Sequence, residues 1–214
     1  MKTKALLAAG LMMAASAASA SAQTVYSVNA VGFVNVAIPA AISGSQPSFT
    51  IIANPLEASD NTLPALFPTV PNNCQIYKFN GTSFVNVGTY FFGWDNTTAT
   101  LVPGEAFFFK NTGAAFTNTF VGNVKQGTLA TSLSAGFNLV SSQVPQAGLL
   151  EQDLKLTPGN NDQVYTFNAA LNRYNPASTY FFGWDTEPYI DVAQGFFLKR
   201  STAGSWTRSF SVNQ

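Results

Sequence analysis

One heptapeptide occurs twice in this chain, and this internal duplication limits the possible folds more than any other sequence feature. Thr-Tyr-Phe-Phe-Gly-Trp-Asp occupies residues 89–95 and recurs unchanged at residues 179–185. Shorter matches flank it at nearly the same spacing, and they pair residues 77–80 with 165–168, residues 107–110 with 196–199, and residues 49–52 with 137–140. A nearly constant spacing places the length differences in loops, so the sequence predicts two homologous units.

The positions of these matches suggest where each unit begins and ends. We predict one β-rich unit over residues 23–124 and a second over residues 125–214. No tract rich in Ser or Gly marks a flexible linker between them. We therefore expect the two units to pack closely rather than to move independently of each other.

Alternating apolar side chains predict that both units consist of β-strands. Val34, Val36 and Ile38 recur at every second position, which is the period of a half-buried strand. Asn-Gly and Pro-Gly pairs separate such runs and are typical of turns. The sequence thus predicts an all-β protein of two tandem repeats of about 90 residues, each a β-sandwich or a small barrel. At most one short helix is expected in each repeat, over residues 61–67 and 149–156.

The first residues have the composition of an export signal. Lys2 and Lys4 precede an apolar stretch over residues 5–18, and residues 20–22, Ala-Ser-Ala, match a signal-peptidase site. We therefore predict a signal peptide over residues 1–22. The expected location of the protein is the cell surface or the extracellular space, with the periplasm as the alternative. No transmembrane segment is expected after signal removal.

The charge composition disfavours several classes of function. The chain has ten basic and ten acidic residues, no histidine, and only 9% charged residues. Nucleic-acid binding requires a basic surface over the phosphates, which this balance does not supply. The lack of histidine excludes Ser-His-Asp catalysis and removes the commonest zinc ligand. We predict no nucleic-acid partner and no cofactor.

The ten carboxylates form no recognisable catalytic or metal-binding pattern. Two carboxylates suffice for glycoside hydrolysis, and the candidates are Asp185 with either Glu187 or Asp191. Residues 158–162, Pro-Gly-Asn-Asn-Asp, offer oxygen atoms to a metal ion, but this composition is also typical of a turn. Only Asp95 and Asp185 correspond cleanly between the units. We therefore predict no catalytic residue, no metal site and no enzymatic activity.

The single cysteine, Cys74, has no partner for a disulfide within the chain. One interpretation makes Cys74 a small buried hydrophobic residue. The other is a disulfide between two molecules, which export from the cytoplasm would permit. Both interpretations remain open from the sequence.

The repeated heptapeptide supplies the candidate ligand-binding residues Trp94, Asp95, Trp184 and Asp185. An indole face can stack on the apolar face of a sugar ring while a neighbouring carboxylate accepts hydrogen bonds from hydroxyl groups. Two such sites would bind a polymer with avidity. The alternative is that both Trp residues anchor the core and each Asp bonds its own backbone in a turn. The three aromatic residues before each Trp favour this core interpretation.

Five stretches of the chain resemble exported two-repeat β-rich proteins of planctomycete–verrucomicrobium-type bacteria. The stretches cover residues 26–36, 52–56, 103–108, 141–148 and 206–212. The resemblance extends over the whole chain after the signal peptide, and it implies export and a duplicated β architecture but no particular activity.

These observations together favour a secreted, non-enzymatic protein with a structural role at the cell surface or in the extracellular matrix. Near-neutral charge offers little repulsion to self-assembly, so one expected partner is the protein itself. The alternative is a carbohydrate-binding module that uses the repeated heptapeptide, with an extracellular polysaccharide as its partner.

Overall fold

The computed structural model describes residues 30–43 and 46–213, and this part of the chain confirms the predicted all-β class. The predicted signal peptide lies outside the described residues. The strands are β1 (Val31–Ile38), β2 (Ser48–Ala53), β3 (Gln75–Phe79), β4 (Phe84–Thr89), β5 (Ala106–Asn111), β6 (Phe116–Asn123), β7 (Gly127–Leu133), β8 (Gly136–Ser141), β9 (Gly148–Leu149), β10 (Gln163–Tyr165), β11 (Phe167–Asn168), β12 (Arg173–Tyr174), β13 (Ser178–Thr179), β14 (Tyr189–Ile190), β15 (Gly195–Arg200) and β16 (Gly204–Phe210), and the helix is α1 (Leu63–Leu66).

Two four-stranded antiparallel sheets form the centre of the molecule. The first central sheet has the strand order β2-β5-β3-β4, and the second has the order β8-β15-β10-β13. Corresponding residues are paired in both sheets, because Tyr77 lies opposite Phe108 in the first and Tyr165 lies opposite Phe197 in the second. The same strand order and the same residue pairs therefore occur in the two halves of the chain.

A two-stranded outer ribbon covers one face of each central sheet. β1 pairs with β6 in the first half, and β7 pairs with β16 in the second. Val34 and Val36 lie on one face of β1, where they pack against the core that contains Phe107, Phe109 and Phe120. Each half of the described chain thus places a two-stranded ribbon on one face of a four-stranded sheet.

The run of three phenylalanines in β5 shows that the first central sheet is buried on both faces. Successive side chains of a strand point to opposite faces. Phe107 and Phe109 belong to the core beneath the outer ribbon, whereas Phe108 packs in a separate cluster with Leu139 and Phe197 of the second half. This separate cluster lies between the two central sheets. The molecule is therefore built from four layers: ribbon, central sheet, central sheet, ribbon.

Corresponding backbone groups join the two central sheets. The Ala53 N–H donates to the carbonyl of Ala193 over 2.9 Å, and the Ser141 N–H donates to the carbonyl of Gly104 over 3.2 Å. Ser141 occupies in the second half the place that Ala53 occupies in the first. Each half therefore donates one of these two hydrogen bonds to the other half.

Small residues allow the central sheets to approach closely at the middle of this contact. A Cβ atom added to Gly195 would lie 2.5 Å from the Ala106 Cβ and 2.5 Å from the Ile51 Cγ2. Gly195 and Ala106 are the first residue of β15 and of β5, so they are matching positions of the two halves. Side chains larger than these would push the sheets apart.

The two predicted helices have different outcomes. α1 forms inside the predicted range 61–67, with Pro64 in its first turn. Residues 149–156 form turns instead of a helix. Lys155 has a φ of 62°, which a right-handed helix does not permit, and the Asp153 carboxylate accepts the Leu149 N–H in a local turn.

Candidate functional site

Each copy of the heptapeptide forms a tight turn whose two phenylalanines face solvent. The turns follow the edge strands β4 and β13. Phe91 and Phe92 are 63% and 81% exposed, and Phe181 and Phe182 are 64% and 80% exposed. We call these two pairs the aromatic tips. The three aromatic residues before each Trp therefore do not all lie in a core strand, because the turn directs the two phenylalanines away from the sheet.

Backbone geometry and one asparagine hold each tip in place. Phe92 has a φ of 56° and Phe182 a φ of 59°, a left-handed conformation that costs about 1–2 kcal/mol for a residue with a side chain. The Phe92 N–H donates to the Asn72 Oδ1 over 2.9 Å, and the Phe182 N–H donates to the Asn160 Oδ1 over the same distance. Both tips thus keep a strained conformation in which a glycine would be expected.

The tryptophans and aspartates of the heptapeptide support the turn from beneath. Trp94 is buried, and its Nε1–H donates to the carbonyl of Phe67 over 2.8 Å. The Asp95 carboxylate accepts the Thr89 N–H over 2.8 Å. The indole face is therefore not open at this copy, and one oxygen of the carboxylate is engaged by the turn.

The second copy has the same arrangement with a looser tryptophan. The Asp185 carboxylate accepts the N–H groups of Thr179 and Thr186. Trp184 is half-buried, and its Nε1–H has no hydrogen-bond partner among the described residues. Ligand binding by the four residues singled out from the sequence remains a prediction, and the geometry of the turns offers it no exposed platform.

Sequence reasoning missed the exposure of the aromatic tips, although one signal for it was present. The turn of the heptapeptide uses its Asp, whose carboxylate accepts the N–H of the first Thr of the heptapeptide in both copies. It does not require two exposed phenylalanines. Exposed apolar residues that are identical in both halves indicate a role other than packing.

Two apolar grooves open beside the contact between the central sheets. The first groove measures about 470 Å³ and is lined by Phe49, Tyr77, Phe84, Phe108, Phe167 and Asn172. The second groove measures about 410 Å³ and is lined by Phe79, Thr82, Phe84, Phe137, Tyr165, Tyr174 and Phe197.

The two grooves correspond to each other residue by residue. Each combines aromatic residues of one central sheet with a hairpin segment from the other half of the chain. Every lining position of the first groove has its repeat counterpart in the second, and the pairs are Phe49 with Phe137, Tyr77 with Tyr165, Phe84 with Tyr174, Phe108 with Phe197, Phe167 with Phe79, and Asn172 with Thr82. An aromatic residue is matched by an aromatic residue at every place, so the halves form two equivalent sites.

A continuous network of edge-to-face and tilted aromatic contacts gives the grooves a firm floor. Phe108 and Phe197 lie at its centre, and the Phe84 ring contacts both, at centroid distances of 5.2 and 6.0 Å. Tyr174 also contacts both central rings. Burial raises the pKa of the Tyr174 hydroxyl, which keeps this wall uncharged far into the alkaline range.

The polar residues that the sequence offered for catalysis or metal binding have structural partners. Glu187 accepts the N–H groups of Glu151 and Gln152, which gives it a role in holding the turn over residues 149–156. Asp162 lies 3.2 Å from the Arg200 Nε in a buried ion pair. Within residues 30–43 and 46–213, no three Cys, Asp or Glu side chains lie close enough together to hold a metal ion.

Cys74 is completely buried, as the first of its two interpretations requires. Its Sγ lies 3.3 Å from the Asn111 Oδ1. Desolvation raises the pKa of the thiol, although hydrogen bonds with Thr112 and the charge of Lys110 act in the opposite direction. Cys74 and Asn111 correspond to Asp162 and Arg200 in the second half. A pair of interacting side chains therefore occupies this place in both halves, which makes the position structural.

Comparisons with known proteins do not add a relative. No protein-family model matches the chain, and neither a curated protein nor a solved structure is significantly similar to it. None of the helices in the described part of the chain is long and apolar enough to cross a membrane.

Proposed function

We propose that this is an exported, non-enzymatic structural protein that associates with copies of itself at the cell surface or outside the cell. The observation that carries the proposal is the pair of identical aromatic tips. Four phenylalanines are exposed, two of them in a left-handed backbone conformation that costs free energy, and each pair is held by an asparagine. Such a surface is unfavourable in water and becomes favourable only when another surface covers it.

The area of the tips sets the expected strength of association. Full burial of one phenylalanine side chain contributes about 1.5–3 kcal/mol. The two side chains of a tip are only partly exposed, so covering one tip contributes about 2–4 kcal/mol. Loss of translational and rotational freedom costs at least about 4 kcal/mol. One tip is therefore too weak to hold two molecules together. Two tips on one molecule make association cooperative and dependent on concentration.

Sedimentation velocity over a range of protein concentrations tests the proposal. The wild-type protein is expected to form larger species as its concentration rises. A variant with Phe91→Ser, Phe92→Asn, Phe181→Ser and Phe182→Asn should remain a monomer, and asparagine tolerates the left-handed backbone at the second position of each tip. A strictly monomeric wild-type protein at about millimolar concentration would refute self-association.

A matched control separates the tips from exposed apolar surface in general. Phe33 lies on β1 and is as exposed as the phenylalanines of the tips, but it belongs to neither of them. Phe33→Ser should leave the sedimentation profile unchanged. An equal effect of Phe33→Ser and of the tip substitutions would indicate unspecific hydrophobic association.

The alternative function, carbohydrate binding through Trp94, Asp95, Trp184 and Asp185, has weaker support. Its motivation is the duplicated Trp-Asp pair, but the first indole is buried and both carboxylates accept backbone N–H groups. Retention on immobilised polysaccharide, compared between the wild-type protein and a folded Trp184→Phe variant, tests it directly. Weaker retention of the variant would favour this alternative.

A further inference from the structure

We infer that each groove is the receptor for an aromatic tip of a second copy of this chain. This inference rests on the proposed self-association and names the surface that receives the tip. Phe92 and Phe182 of the tips are the most exposed large apolar side chains in the described part of the chain, and both grooves are concave and lined by aromatic residues. The molecule thus carries two projections and two receptors of matching chemistry.

The chemistry of the lining favours an apolar occupant. Most of the polar side chains around the grooves already have a partner within the molecule. The Asn172 Oδ1 accepts the Phe49 N–H over 3.0 Å, and the Tyr77 hydroxyl donates to the Gln75 Oε1 over 2.9 Å. The Thr82 hydroxyl lies 3.0 Å from the Asn80 Oδ1. A sugar would need unengaged donors and acceptors for its hydroxyl groups, whereas a phenyl ring needs none.

The size and geometry of a tip suit the grooves. Each tip has two phenyl rings in an edge-to-face arrangement, with centroids 4.9 Å apart in one tip and 4.8 Å apart in the other. Grooves of about 470 and 410 Å³ accommodate such a pair. The rings that line the grooves already contact one another edge to face, so an incoming ring can extend the same pattern.

A tip cannot reach the groove at the other end of its own edge strand. Phe84, which lines both grooves, is the first residue of β4, and the Phe91–Phe92 tip follows Thr89, the last residue of that strand. Five residues of extended chain separate Phe84 from Thr89 by about 17 Å. The Phe91–Phe92 tip therefore does not fill a groove of its own molecule, and in this proposal the occupant comes from a second copy.

Each contact joins a tip of one molecule to a groove of another. Because every molecule carries both surfaces, two molecules can exchange tips in a closed dimer, and further molecules can add in a chain. The formal net charge of zero over the whole sequence offers little electrostatic opposition to stacking. The expected products are closed dimers or longer chains.

A mixing experiment tests the assignment of the groove. Phe84→Lys places a charge at the wall shared by both grooves and leaves the tips intact. Val85→Lys is the matched control, because Val85 is the next residue of β4, has nearly the same exposure and points to the opposite face. Near-ultraviolet circular dichroism verifies that each variant is folded. Should Phe84→Lys fail to fold, Thr82→Trp replaces it and fills the second groove from an exposed loop.

The expected result is complementation between two variants that do not associate alone. The fourfold tip variant and Phe84→Lys should each sediment as monomers, while their equimolar mixture should form larger species at concentrations where the wild-type protein does. Val85→Lys should behave like the wild-type protein.

Two outcomes would overturn the groove assignment and leave the proposed function intact. If Phe84→Lys associates as strongly as the wild-type protein, the groove is not the receptor. If both variants and their mixture remain monomeric, an intact tip on one molecule does not bind an intact groove on another, and the assignment fails. A wild-type protein that never associates would overturn the proposed function itself.

Discussion

Gly195 provides the sharpest test of how the two central sheets pack, and Gly195→Ala is expected to destabilise the protein. The added Cβ would lie 2.5 Å from both the Ala106 Cβ and the Ile51 Cγ2, whereas carbon atoms in contact prefer about 3.5–4.0 Å. Neither neighbour can turn away, because Ala106 has no rotatable side chain and Ile51 is β-branched. The sheets must therefore separate by about 1 Å at their closest point.

The magnitude follows from the cost of overpacking a core. Inserting a methyl group into a closely packed core costs about 1–3 kcal/mol, and we expect the upper half of this range because two rigid neighbours are met at once. For a domain of this size, each kcal/mol lowers the melting temperature by about 2–4 °C. Thermal unfolding followed by circular dichroism should therefore show a decrease of about 4–12 °C.

Two further variants make this argument refutable. Gly183→Ala is the matched control, since a Cβ at Gly183 meets no atom within 4 Å, and its effect should be within about 0.5 kcal/mol. Ala106→Gly removes one of the two obstructing methyl groups, so the double variant with Gly195→Ala should regain about 1 kcal/mol relative to additivity. An unchanged melting temperature for Gly195→Ala, or strict additivity in the double variant, would refute the face-to-face packing.

Two other substitutions test individual contacts by urea unfolding. Arg200→Met should destabilise the protein by about 3 kcal/mol, because it leaves the Asp162 carboxylate buried without its cation. The double variant with Arg200→Met and Asp162→Asn should recover part of this loss. A cost below about 1 kcal/mol for the single variant would contradict a buried ion pair. Trp94→Phe should cost about 1–3 kcal/mol of stability, since it leaves the carbonyl of Phe67 without its donor. Trp184→Phe should cost less, because the Trp184 Nε1–H has no partner in the described part of the chain. Equal costs for the two variants would contradict the difference between the two copies.

Much of the fold could be predicted from local sequence patterns. The alternation in β1 and the turn-forming pairs predict strands, and the position of α1 follows from Asn61, Thr62 and Pro64. The helix expected over residues 149–156 does not form: Leu149 pairs in β9, residues 150–154 form turns, and Lys155 takes a left-handed backbone conformation. Propensity alone does not reveal such a position, since contacts made elsewhere in the chain decide it.

The candidate site was only partly accessible to sequence reasoning. The repeated heptapeptide identifies both turns, but within them it favours Trp94 and Asp95 as ligand-binding residues, because an indole beside a carboxylate can bind a sugar. The grooves have no local signal at all. Phe49 and Phe167 line the same groove although more than a hundred residues separate them, and only the packing of the two halves brings them together.

Two pairs of adjacent phenylalanines show where sequence information ends. The sequence by itself determines that this chain forms strands and that its two halves share one pattern, because periodicity and repetition are local properties that survive in any fold. It does not determine which aromatic residues are buried. Phe107 and Phe108 are both covered because their strand lies between two other layers, whereas Phe91 and Phe92 lie at a turn beyond the edge of the sheet. Burial depends on what covers a residue from elsewhere in the chain, and only the tertiary structure decides that.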